Sequence, residues 1–249
     1  MLGKRPVGIA MCGRSLFSKG FFGAVIVAGC GHVSGLFARH RWPLALMKSA
    51  CQIPIVSGAR GDAGATCLVI GIGTGFNSAL VLEEPEGRRV PPSESGHANM
   101  MVRSAADQAF FDFMVAEQGF AAIEDALSGR GLENIYRWLA QDGDGKPAMT
   151  AAEITRGADE TAQAAMRHFV ANLGNTVGNL ALIQLPFGSI YMVGGVARAM
   201  TPYLKPFGFR EHFIDKGRFG EFMERFSVHV IDDDWAALIG CAQHLASRS

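Results

Sequence analysis

Apolar positions along the chain fall into two rhythms. Unbroken apolar runs of strand length occur at AVIVAG (24–29), ATCLVIGIG (65–73) and SIYMVGG (189–195). The stretch FNSALVLEE (76–84) alternates and follows three closely spaced glycines, so it predicts the returning strand of a hairpin. Helical spacing begins near Ser104 and runs through AADQAFFDFMVAEQ to Gly119, a helix stop. A second helix is predicted over 132–143, and Thr150 with Glu153 forms a capping box opening a third. The longest helical signal spans 159–185. VHVI then reads as a last strand, and the following Asp run as the cap of a final helix, WAALIGCAQHLA. A hairpin followed by long helices between single strands predicts a mixed, layered α/β fold.

Composition adds one asymmetry. The 249 residues carry no formal net charge, which removes the simplest argument for a nucleic-acid partner. Yet residues 1–61 contain no Asp or Glu, while Lys4, Arg5, Arg14, Lys19, Arg39, Arg41, Lys48 and Arg60 all fall there. Five cysteines, an odd number without C-x-x-C spacing, fit a reduced setting. An export reading takes VAGC as a lipoprotein-type cleavage box with Cys30 lipidated. The basic region before it is long and the apolar run short for that anatomy.

The glycines offer candidate chemistry. GIGTGF (71–76) has neither the dinucleotide spacing nor the Gly-Lys-Ser/Thr of a P-loop. It offers a strand, a run of backbone N–H groups and the Thr74 hydroxyl, an arrangement able to cradle phosphate; the plain alternative is a hairpin turn. GCGHVSG (29–35) follows a strand with the spacing of some nicotinamide-binding folds, but no acidic residue precedes Asp62 to hold a ribose.

Four stretches then occur in order: GIGTGFN (71–77), SESGHAN (93–99), IEDALSGRGLENIY (123–136) and IYMVGGVA (190–197). FGFREHFIDKGRF (207–219) and ALIGCAQHL (237–245) follow. Over roughly residues 62–247 this series resembles the bacterial glucokinase family of actin-like, hexokinase-type sugar kinases. The resemblance implies an α/β actin-like ATPase (ribonuclease H-like) sugar-kinase fold. Its large lobe would span 62–233, with a C-terminal helix over 234–249 and a truncated or degenerate small lobe in 1–61.

It also implies transfer of the ATP γ-phosphoryl group to the 6-hydroxyl of glucose, with Mg2+, in a cytoplasmic homodimer without nucleic-acid or membrane partners. Gly71, Gly73, Thr74 and Gly75 would form the second phosphate loop, and Gly194 and Gly195 the adenosine-side turn. Glu94, His97 and Glu124 match sugar-binding positions, where carboxylates accept from ring hydroxyls. Phe76-Asn77 departs from the family's more frequent Leu-Gly.

Two family motifs are not found: an Asp-x-Gly-Gly-Thr-Asn phosphate loop, and an Asn-Asp pair whose aspartate serves as general base. VGIAMCGRS (7–15) is the nearest approach to the first. The resemblance therefore supplies no catalytic base and no metal ligand, and it predicts weakened turnover. A non-catalytic sugar- or nucleotide-binding protein is the alternative. The acid-free composition of 1–61 is also what a shifted reading frame or a rejoined gene leaves behind.

His168, His212, His229 and His244 read as packing or surface groups. Lys216 and Arg218 read as a solvated turn, and Asp232, Asp233 and Asp234 as a capping run rather than a metal cluster.

Overall fold

The computed structural model describes residues 52–57, 64–84, 87–141, 148–157 and 159–233. The strand expected at 24–29, the helix expected after Asp234, and His244 lie outside the described residues. The elements are β1 (Gln52–Val56), β2 (Cys67–Ile72), β3 (Phe76–Glu84), β4 (Gly87–Arg89), α1 (Ala105–Gln118), α2 (Ile123–Ala126) and α3 (Gly129–Leu139). Then follow α4 (Ala151–Arg156), α5 (Glu160–Gln184), β5 (Ser189–Val193), α6 (Gly195–Leu204), α7 (Phe209–Ile214), α8 (Gly220–Met223) and β6 (Val228–Ile231).

The strands form one sheet in the order β1-β6-β5-β2-β3-β4. β2 and β3 make the predicted hairpin, with Ile72 opposite Phe76 and Gly71 opposite Asn77. β5 runs parallel to β2 and β6 parallel to β5. Parallel neighbours require long crossovers, and here helices supply them: α1–α5 before β5, and α6–α8 before β6.

Strand alternation divides the side chains between two faces. Leu68, Ile70, Ile72, Ile190, Met192, Val228 and Val230 are buried with residues from the helices in the main core. Val69, Ala79, Val81, Val193 and Ile231 are buried on the other face, in a smaller cluster that includes no residue of a described helix.

Helix ends follow the caps written in the sequence. Ser104 and Asp107 form a reciprocal box at the start of α1, and Gly119 ends it with φ of 79°. Thr150 and Glu153 do the same for α4. α3 begins at Gly129, ahead of the predicted Leu132, because the Ser128 hydroxyl accepts from the Gly131 N–H at 2.9 Å. A Cβ at Gly131 would stand 2.5 Å from the Ala126 carbonyl oxygen, so the close α2–α3 join needs glycine there.

Two further features position the sheet and its longest helix. Residues 52–56, which lie within the segment 1–61, form a strand antiparallel to β6 at the edge of the sheet among the described residues, with a register shift between Pro54 and Val56. Proline lacks an N–H and is tolerated at such an edge. Lys216, expected in a solvated turn, is half-buried: its Nζ donates to the Asn175 carbonyl in α5 at 3.2 Å. Burial, then repulsion from Arg103, lowers its pKa, and Asp215 opposes both.

Candidate functional site

β2 and β5 lie side by side and point the same way, so the turns that follow them meet at one end of the sheet. After β2, the Gly73 N–H donates to the Gly75 carbonyl at 3.0 Å, tightening the loop. The Gly73 carbonyl accepts from the Gly129 N–H at 2.8 Å, which sets the loop on the first turn of α3. Thr74 is exposed at its tip, and nothing stands within 4 Å of where a Gly73 Cβ would be. Gly71 lies inside β2, between Asn77 and Val193, rather than in the loop. The Gly73 N–H is thus engaged within the loop, and Gly71 stands in the strand that leads to it.

After β5, Gly194 has φ of 113°, and a Cβ there would meet the Ile72 carbonyl oxygen at 2.4 Å. Only glycine lets this turn pass so close beneath the end of β2. Gly195 then opens the ten-residue α6 with empty space around it. Two glycine turns, an exposed hydroxyl and the starts of α3 and α6 thus face one region. Helix starts carry partial positive charge, which suits phosphate oxygens.

Glu94, His97 and Glu124, the residues expected to face a sugar, gather at the same end of the sheet, because β3 starts where β2 stops. Gly96 rests on β3: a Cβ on it would lie 2.0 Å from the Phe76 carbonyl oxygen and 3.6 Å from the Glu124 Cβ. Backbone bonds from Ile123 to Ala98 and from Met100 to Ala121, both 2.9 Å, lay residues 98–100 along 121–123. Glu124 is consequently buried at 5% exposure, with its Oε1 3.9 Å from Nδ1 of the exposed His97. Glu94 is exposed at the start of the same turn, its carbonyl accepting from the His97 N–H at 3.1 Å. A buried carboxylate, an imidazole and a second, exposed carboxylate offer an acceptor-rich wall for hydroxyls.

Some neighbours of these residues escaped the sequence reading. Arg130 Nη2 stands 3.4 Å from Glu124 Oε1. Its cue was its place in SGRG, two residues after the capping serine. Ser95 bonds the Asn77 side chain, a link that no periodicity signals. Of the histidines read as packing groups, His168 is partly buried against Phe110 and Trp138, with burial lowering its pKa. Among the described residues no three His, Cys, Asp or Glu side chains converge as metal ligands, and no helix is long and apolar enough to cross a membrane. Asp234 lies outside the described residues.

A mixed sheet with glycine turns after two parallel strands, and a carboxylate-imidazole wall beside them, defines an actin-like, ribonuclease H-like sugar-kinase fold. The chain belongs to the glucokinase family, whose sequence model matches residues 37–248. That match begins inside the acid-free segment, earlier than residue 62 where the sequence motifs place the resemblance. A glucokinase of Mesorhizobium japonicum is 36% identical over 200 residues, covering 78% of this chain and 58% of its own length. The crystal structure of a glucokinase from an Antarctic psychrotroph superposes with a TM-score of 0.74 at 25% identity, covering 90% of this chain and 67% of that one. Glucokinase from Balamuthia mandrillaris, crystallised with glucose, gives 0.71 at 20% identity, covering 90% and 64%. The chain spans between 53% and 61% of the first curated relatives it matches.

Proposed function

We propose that this chain carries the nucleotide and sugar sites of a glucokinase, which transfers the γ-phosphoryl group of ATP to the 6-hydroxyl of glucose. The observation that carries the reading is the meeting, at one sheet end, of the Thr74 loop, the Gly194–Gly195 turn and the His97–Glu124 pair. Thr74 and Gly75 would hold the terminal phosphates. Gly194 and Gly195 would leave room for the nucleotide to lie on backbone. Glu94, His97 and Glu124 would fix the hexose by accepting from its hydroxyls.

Magnesium bound by the nucleotide's phosphates offsets their charge during transfer. The Thr74 hydroxyl and the amides of its loop would meet those phosphates, and the nucleotide would carry the cation. In the transfer the 6-hydroxyl oxygen bonds to the γ-phosphorus as the bond to the β–γ bridging oxygen breaks. The hydroxyl proton needs an acceptor. The family's Asn-Asp base motif is not found in the sequence, and its loss lowers turnover by roughly 10²–10⁴-fold. A homodimer and a cytoplasmic setting, both implied by the family resemblance, belong to the same proposal.

A coupled ADP-release assay with glucose tests it. Slow, glucose-dependent release that Glu94→Gln abolishes is the expected result. Calorimetric binding of either ligand without any turnover would favour a non-catalytic binding protein instead.

A further inference from the structure

The glycine hairpin and the sugar-side turn are joined by a buried amide. Asn77, at 7% exposure, is the second residue of β3, just after the Thr74 loop. Its Nδ2 donates to the Ser93 carbonyl at 2.6 Å. Its Oδ1 accepts from the Ser95 N–H and the Ser95 hydroxyl, each at 3.1 Å, and from the Ser78 N–H at 2.8 Å. A carbonyl on one side and two N–H groups on the other fix which end of the amide faces which, since the flipped form would pair like with like. Ser78 extends the seam: its N–H donates to Ser95 Oγ at 2.9 Å, and the two hydroxyls lie 2.8 Å apart. Gly96, seated on the Phe76 carbonyl, closes it.

The geometry points to Asn77 as a positioning residue that holds Glu94 and His97 at a set distance from Thr74, fastening the hexose side of the site to the nucleotide side. The identity of the two ligands rests on the function proposed above; the fastening itself does not. Asn77 sits opposite Gly71 in a regular strand pair, so Asn77→Gly removes the seam's central amide while leaving the ladder partner in place. A turn released from β3 must be ordered again when sugar binds, and that entropy cost falls on the hexose alone. Thr74, Gly194 and Gly195, on the nucleotide side, make no bond to the Asn77 side chain.

The test compares the full chain with Asn77→Gly, Ser95→Ala and the double variant. Amide hydrogen exchange without ligand is read at residues 95–98, and glucose and Mg-ADP affinities are read by calorimetry. In Asn77→Gly, protection at 95–98 falls and the glucose Kd rises, each by roughly tenfold, while the Mg-ADP Kd stays within about twofold. The double variant is no worse than the weaker single one, because both cut the same seam. Unchanged protection at 95–98 overturns the inference. So does an equal loss of both ligands alongside a lowered unfolding midpoint, which marks general destabilisation. Failure of the unaltered chain to bind any hexose sinks the functional reading instead, and the exchange at 95–98 then decides the seam by itself.

Discussion

Glu124 Oε1 lies 3.9 Å from His97 Nδ1, an approach made by two backbone bonds that lay residues 98–100 along 121–123. The carboxylate is buried and the imidazole exposed, so the pair forms the inner and outer edges of one wall. Glu124→Gln keeps the shape and removes the charge. Charge-assisted hydrogen bonds to hydroxyls are then replaced by neutral ones, and glucose affinity should fall at least ~10-fold with Mg-ADP affinity unchanged. Titration calorimetry reads both, and an unaltered glucose Kd would take Glu124 out of the site.

Gly194→Ala tests the turn after β5. The residue holds φ of 113°, and its Cβ would meet a backbone oxygen at 2.4 Å, so no rotamer change relieves the contact. Backbone strain and the displaced β2 end together should cost about 2–4 kcal/mol in urea unfolding. Nucleotide binding should fail with it. Full stability in this variant would show that the turn moves away easily.

Asp107 and Asp215 give opposite expectations for two aspartates. Oδ2 of Asp107 accepts from the Arg103 N–H, the Ser104 N–H and the Ser104 hydroxyl at 3.1, 2.9 and 2.8 Å. Its Oδ1 accepts from Asn172 of α5 at 3.1 Å, so one side chain caps α1 and ties it to the long crossover helix. Asp107→Ala should lower stability by about 2–4 kcal/mol. Asp215 meets Arg103 at 2.7 Å, but both are largely exposed, and Asp215→Asn should shift stability by less than about 1 kcal/mol. Equal effects in chemical denaturation would contradict this ranking.

His168 makes stability depend on acid. Burial holds its pKa below the ordinary 6.5, against the pull of Asp107, whose Oδ1 is 3.7 Å away. As pH drops through 6.5, the unfolded chain takes up a proton that the folded His168 refuses, so stability declines until the folded pKa is reached. His229, lowered by its own burial, acts in the same direction. His168→Gln should therefore lose less stability than the parent between about pH 7 and about pH 5.5. Parallel stability–pH curves for the two proteins would remove His168 as the cause.

The features legible in the sequence were those that local chemistry writes. Ser104, Thr150 and Gly119 announce helix ends because a cap is a short-range bond. The run at 67–72 announces a strand because both its faces are buried. Thr74 and the glycine pair at 194–195 stood out through the family resemblance, and of the pair it is Gly194 that makes a close backbone approach. What stayed hidden depends on pairing across the chain. β1 is five residues with a proline and becomes a strand only beside β6. Lys216 is drawn inward by a carbonyl of α5, and Asn77 by a turn whose serines give no periodic signal.

Ser128 has a consequence of another kind. Fully buried, its hydroxyl donates to the Glu124 carbonyl at 2.7 Å and accepts from Gly131, while the next residue's N–H holds the Gly73 carbonyl. One buried serine thus joins the start of α3, and with it the Thr74 loop, to the residue that carries the buried carboxylate. A change at this position would reach the Thr74 loop and the α2 carboxylate together, so the effects of substitutions at those two places should be read as a pair rather than singly.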